Sequence, residues 1–160
     1  MTEFGPLTRG IFPTILTRTH ADHLTQPFWD AAKEDRLTAP RCVHCGTFRL
    51  PPSAYCFNCQ QRGVEWVDLP GTGVIVSFTV VRHPLHPDLA DACPYVSGVI
   101  DLDGTQGAGA RMLANIIDCD PDSMRIDDRV QIVFEHVNEE MSVPRFRPVD
   151  ASSPSARTAQ

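Results

Sequence analysis

Hydrophobic positions follow three different patterns along the 160 residues. In the first stretch Phe4, Ile11, Phe12, Ile15 and Leu16 are scattered without a period, which predicts an extended arm over residues 1–25. Phe28, Ala31, Ala32 and Leu37 then form a loose helical stripe. Thr25 suits an N-cap, Pro27 fits a first turn where its missing N–H costs nothing, Asp30 favours the N-terminal dipole, and Pro40 forbids continuation. A short helix is predicted over about residues 26–36, in a segment bounded by residues 26–37. After Gly63 the period becomes two: Val64, Trp66 and Leu69 alternate with Glu65 and Asp68. Four further apolar, β-branched runs follow, Val74–Val81, Tyr95–Leu102, Met112–Ile117 and Arg129–Glu135, separated by turn-rich segments. Strands without intervening helices predict a mainly β fold, an antiparallel sheet or small barrel. Residues 150–160 are polar and are predicted to be a disordered tail, and no internal repeat runs along the chain.

Between helix and strands, Arg41 to Arg62 holds four cysteines, a Pro51-Pro52 pair and almost no aliphatic side chains, so it needs a staple to fold. Cys42-x2-Cys45 and Cys56-x2-Cys59 form two knuckles ten residues apart, and each can place two thiolates on one metal ion. The spacer is short but accommodates a tight hairpin from Thr47 to Tyr55. Zinc is the expected ion; disulfides and a rubredoxin-like iron site are the alternatives. Four thiolates leave no open coordination position, which makes the metal structural. Apparent binding free energies of about 10–16 kcal/mol for such sites would stabilise a module that has no core of its own.

Composition and charge narrow the function classes. No apolar run reaches the roughly 18 residues of a membrane-spanning helix, and Met1–Gly10 lacks the pattern of a secretory leader, so a cytoplasmic location with reduced thiols is expected. The net charge of −6 argues against a protein that coats nucleic acid. That charge is an average of two unlike parts. From Arg36 to Gly63 there are four arginines and no acid, against ten cations and twenty acids elsewhere. A zinc tetrathiolate adds −2 and leaves the ribbon at about +2. With Phe48, Tyr55 and Phe57 interleaved, these arginines suit single-stranded nucleic acid or the phosphates of a nucleotide cofactor, unless they only balance the thiolates. Arg41 and Arg49, which flank the first knuckle, are the candidate phosphate contacts.

Other constellations fall short of a catalytic centre. Cys93 has His83 and His86 upstream, which reads as a long loop between strands, and Cys119 reads as a half-buried strand-end residue. Asp118, Asp120 and Asp122 open like a calcium loop, but Ser123 stands at the glycine position and Arg129 at the glutamate position. Gly104, Gly107 and Gly109 precede a strand where a phosphate loop needs a helix.

The order of these features resembles one family. A helix carrying Phe28-Trp29-Asp30, the two knuckles, Gly71-Thr72-Gly73, Pro94-Tyr95 and a closing Phe146-Arg147-Pro148 look like the zinc-ribbon/OB-fold acyl-CoA-associated proteins, known as domain of unknown function thirty-five. The likeness covers about residues 26–148. It implies a rubredoxin-like zinc ribbon over residues 38–63 with Cys42, Cys45, Cys56 and Cys59 as ligands, and a five-stranded OB-fold barrel over residues 64–149. It further implies a non-catalytic accessory subunit in a hetero-oligomer with a thiolase-fold enzyme, a thiolase or a retro-aldolase acting on CoA thioesters such as steroid side chains. The small subunit would organise the complex and help bind the acyl-CoA. A single-stranded nucleic-acid-binding module is the alternative reading. One departure from the pattern is Gln60, where a glycine is usual after the second knuckle.

Overall fold

Asp22 initiates the helix in the computed structural model, which describes residues 21–84, 86–105, 109–139 and 141–149. Its carboxylate accepts from the amides of Leu24 (3.0 Å) and Thr25 (2.8 Å) and from the Thr25 hydroxyl (2.8 Å), and these Thr25 bonds hold the carboxyl below its ordinary range. Thr25 occupies the N-cap position but makes no side-chain cap bond, because its hydroxyl is committed to Asp22. Helix α1 spans Gln26–Lys33 and ends earlier than the apolar stripe suggests. Asp35 adopts a φ of 57°, in the left-handed region, and turns the chain so that Leu37 leaves the helix and enters the core. Asp30 lies in the second turn, where it accepts from the Gln26 side-chain amide. The expected arm lies outside the described residues except for 21–25, and the expected tail lies wholly outside them.

Strands β1 (Thr38–Cys42) and β2 (Val64–Asp68) pair antiparallel, from Thr38 opposite Asp68 to Cys42 opposite Val64. Residues 64–68, which the sequence boundary assigns to the barrel, thus hydrogen-bond with the ribbon. Alternation along the pair sends Ala39 and Val67 to one face, where they join Leu37 and Leu69 against the barrel core. Phe48, from the loop between the knuckles, is buried in that same cluster. Ribbon and barrel therefore share one hydrophobic core.

The barrel comprises β3 (Thr72–Val81), β4 (Tyr95–Leu102), β5 (Arg111–Ile116), β6 (Arg129–Asn138) and β7 (Met141–Pro148), closed in the order β3-β4-β5-β7-β6. Four of these match the β-branched runs. The fifth, β7, carries Pro144 and Pro148 and the buried Arg145, which hide its period. A 3-10 turn at Pro87–Ala92 joins β3 to β4. Inward-facing Ile75, Val96, Ile100, Ile116, Val130 and Phe146 are fully buried, with every barrel strand represented. Among the described residues no helix is long and apolar enough to cross a membrane.

Gly71 and Gly73 are explained by the entry to β3. Gly71 has a φ of +77°, and its carbonyl accepts from Ile132 at 2.7 Å. A β-carbon on Gly73 would lie 2.5 Å from the Asp101 carbonyl oxygen and 2.6 Å from Ile100 Cγ2, so backbone would have to move. Gly73→Ala is expected to lower unfolding free energy by about 1–3 kcal/mol, read as a shift in urea midpoint. Beside this turn, Asp103 accepts from Arg129 Nη1 at 3.1 Å and from Arg129 Nη2 and the Thr72 hydroxyl at shorter range, tying the turn after β4 to β3 and β6. Partial burial pushes the Asp103 carboxyl up, but Arg129 and Thr72 outweigh it and hold it below its usual range. A carboxyl depressed in the folded state contributes stability above its unfolded value of about 3.9, lost as pH falls through the lower folded value. Acid titration of stability should therefore lose part of its low-pH limb in Asp103→Asn. At neutral pH that variant should cost about 1 kcal/mol, since both side chains reach solvent.

Candidate metal centre

Each knuckle is one tight turn, and the two are built alike. The Cys42 amide donates to the Thr47 carbonyl (2.9 Å), and the Gly46 amide returns to the Cys42 carbonyl (2.9 Å). Fourteen residues on, the Cys56 amide donates to the Gln61 carbonyl (3.0 Å) and the Gln60 amide returns to the Cys56 carbonyl (2.8 Å). Outside these turns Arg41 bridges to Phe48 and Tyr55 to Arg62, again fourteen apart, and each bridge sets a guanidinium over a ring, at 6.0 Å and 4.6 Å. The ribbon is therefore a local structural repeat that residue identities conceal, since Gly46 matches Gln60 and Phe48 matches Arg62. Gln60 takes a φ of 58°, close to the 73° of Gly46. The second turn keeps its shape without the usual glycine.

The turns bring four sulfurs together. Cys42 Sγ lies 3.6 Å from Cys59 Sγ and Cys45 Sγ lies 3.6 Å from Cys56 Sγ, with all four within 4.8 Å of one another. A disulfide would need about 2.05 Å. Zinc–sulfur bonds of about 2.3 Å in a tetrahedron place sulfurs about 3.8 Å apart, so the observed spacing fits a metal and not a bridge. Cys42 and Cys56 are buried, Cys59 partly so and Cys45 exposed.

Local electrostatics point the same way. The Thr47 hydroxyl and amide, with help from Asn58, lower the Cys45 thiol to about 5. The amides of Cys45 and His44 lower Cys42. At Cys59 the Gln61 amide also favours thiolate, but burial and the three neighbouring sulfurs override it and push the thiol up to about 12. The backbone thus favours anionic sulfur while the crowding of four sulfurs in one pocket opposes a full set of thiolates, a conflict that a divalent cation relieves. Cys42, Cys45, Cys56 and Cys59 would hold that ion with no ligand position left open. Among the described residues this is the group of three or more His, Cys, Asp or Glu placed to bind a metal.

The other candidates are placed as follows. Arg41 donates to Glu65 (Nε, 2.9 Å), and its Nη2 lies 2.8 Å from the same carboxylate. Arg49 is 2% exposed and donates to the Gly63 carbonyl at 2.9 Å, with its Nε and Nη1 lacking partners. Burial, then Asp118 and Asp120, push the Cys119 thiol up to about 11, which suppresses thiolate chemistry. The calcium-like acids are used locally: Asp120 accepts from the Asp122 amide, and Asp122 pairs with Arg82 at 3.0 Å. Sequence reading gave no sign of one constellation. His136 spans Ser142 Oγ (Nδ1, 2.7 Å) and Asp35 (Nε2, 3.1 Å), drawn from three segments. Ser142 is 2% exposed, so this series cannot present a nucleophile; it ties the end of α1 to β6 and β7.

Residues 29–65 match the family model for the ChsH2 rubredoxin-like zinc ribbon domain, and residues 66–135 match that for the ChsH2 C-terminal OB-fold domain. A DUF35 domain-containing scaffold protein of Methanothermobacter thermautotrophicus is 37% identical over 65% of this chain and 75% of its own length. The chain belongs to the ChsH2 (DUF35) family. A probable enoyl-CoA hydratase alpha subunit of Thermomonospora curvata is 34% identical over 85% of the chain, which spans 41% of that relative's length. Among solved structures, a chain of an Ltp2–ChsH2 (DUF35) aldolase superposes with a TM-score of 0.72 at 31% identity, covering 82% of this chain and 98% of that one. The four-cysteine ribbon and the OB-fold barrel of this DUF35 protein follow one another in the order of those two domains.

Proposed function

We propose that this protein is a non-catalytic accessory subunit of a thiolase-fold enzyme, organising the complex and helping to hold a CoA thioester. The observation that carries the reading is the pairing of a closed four-sulfur site with a likeness, over 82% of this chain, to a chain of an Ltp2–ChsH2 (DUF35) aldolase. A metal with four protein ligands contributes folding and leaves chemistry to another subunit. The partner would be a thiolase or retro-aldolase, and the thioester an acyl or steroid side-chain group, as the family resemblance implies. Purification of the tagged full chain from its native host should bring down a thiolase-fold subunit in stoichiometric amount. Recovery of the chain alone, with acyl-CoA turnover of its own, would sink the proposal.

Arg41 and Arg49 are proposed to address CoA phosphates. Arg41, the more exposed, would exchange Glu65 for phosphate, while the two unpartnered donors of Arg49 suit an anion admitted by local opening. Arg41→Ala should weaken CoA binding in the assembled complex by roughly tenfold, the scale of one charged hydrogen bond, with zinc content unchanged. Loss of metal instead would assign Arg41 to the ribbon's structure. A second reading, single-stranded nucleic acid stacked on exposed Tyr55 and Phe57, predicts steeply salt-dependent oligonucleotide binding. A flat titration at low salt removes it.

A further inference from the structure

While Phe48 points into the shared core, several other apolar side chains of the ribbon face solvent. Tyr55 is 53% exposed and Phe57 66%, and Val43 and Val64 are exposed as well. Gly63 places Val43 beside the segment from Arg62 to Val64. It has a φ of +102°, and a β-carbon there would sit 2.9 Å from Val43 Cγ2; its chain neighbours are Arg62 and Val64. Arg62 Nη2 donates to the Tyr55 hydroxyl at 2.6 Å, with the guanidinium stacked on that ring. Phe57 projects from the second knuckle two residues beyond Tyr55. Two aromatic rings and two valines held outward on a module with little core of its own are apolar exposure that folding does not explain.

Charge identifies what is missing opposite this face. Residues 36–63 contain no acid. Arg36 is paired with Glu34 and Asp68, Arg41 with Glu65, and Arg49 is buried. Arg62 is paired with no acidic side chain among the described residues, and it stands beside the exposed rings. Aromatic residues and arginine at the centre of an apolar face are the composition that carries binding energy in protein interfaces. A nucleic-acid strand fits less well, because one unpaired exposed arginine releases few counterions and the body of the protein is acidic.

We propose that Val43, Tyr55, Phe57, Arg62 and Val64 form the face by which the ribbon docks on the thiolase-fold subunit, which supplies an apolar socket for the two rings and a carboxylate facing Arg62. This rests on the accessory-subunit reading. The zinc site then has a second consequence, since it fixes the knuckle turns that aim Phe57 and Tyr55 outward.

The test uses the full zinc-loaded chain and the thiolase-fold subunit that co-purifies with it. Tyr55→Ala and Phe57→Ala should each weaken binding by roughly 30-fold or more while zinc per chain stays constant. Arg62→Glu should slow association and reduce its salt dependence. Should Phe57→Ala lose zinc, Val64→Ser and Arg62→Glu, which lie outside both knuckles, give the same readout. Wild-type affinity in all these variants would overturn the docking face and leave the accessory reading standing. Failure of any thiolase-fold subunit to bind the wild-type chain would overturn both. Binding of a labelled single-stranded oligonucleotide that Phe57→Ala abolishes, with partner affinity unchanged, would assign the face to nucleic acid and overturn the proposal.

Discussion

Replacement of Cys56 by serine is expected to strip zinc from the protein and unfold the knuckle region as a unit. Cys56 Sγ is buried, 3.6 Å from Cys45 Sγ, and its backbone closes the second turn through Gln61 and Gln60. Metal binding at such sites contributes about 10–16 kcal/mol, comparable to the roughly 5–15 kcal/mol by which whole domains are stable. Residues 43–62 have little else to hold them, Phe48 and Arg49 being their buried side chains besides cysteine. The damage should not stay local, because Leu37, Ala39 and Phe48 belong to the barrel's core cluster. Elemental analysis should give one zinc per wild-type chain and a marked loss in Cys56→Ser, accompanied by a lower melting temperature. Hydrogen exchange should speed up at the amides of Cys42, Gly46 and Gln60, which the knuckles now protect. Cys93→Ser and Cys119→Ser should keep their metal. A visible absorption band in the wild type would instead indicate iron.

Truncating Phe146 to alanine should cost about 3–5 kcal/mol, the range for deleting a fully buried phenylalanine. Phe146 is the largest fully buried side chain of the barrel. It also sits at the seam: β5 and β7 meet in parallel at Ile116 opposite Phe146, and the Ile117 amide donates to the Phe146 carbonyl at 2.7 Å. A cavity there removes packing where the barrel has least hydrogen-bonded overlap. Equilibrium urea unfolding should show a large fall in midpoint, whereas Leu113→Ala, at a side chain 72% exposed on β5, should change stability by less than about 0.5 kcal/mol.

What the sequence disclosed follows from which signals are local. The Cys-x2-Cys knuckles announce their chemistry by spacing, and the β-branched runs of β3 to β6 by their period. The strand β7 stayed hidden because Pro144 interrupts it and because Arg145 is buried by pairing with Glu135 at 2.9 Å, which no linear pattern reports. The strand β1 contains Pro40 and is recognisable only through its partner β2. The helix end depended on the left-handed turn at Asp35, a conformation glycine announces and aspartate does not. Gln60 is the same case inside the metal site. The arginine count drew attention to the ribbon, but side-chain geometry separated its members: one stacked on Tyr55, one buried, and two bound to nearby acids.

The accessory role is tested most directly by assaying the purified thiolase-fold subunit, this chain, and their mixture on the same acyl-CoA thioester. Turnover by the mixture is expected, with little by the partner alone and none by this chain alone. Turnover by this chain alone, or a partner whose rate and CoA affinity do not change when the chain is added, would contradict it.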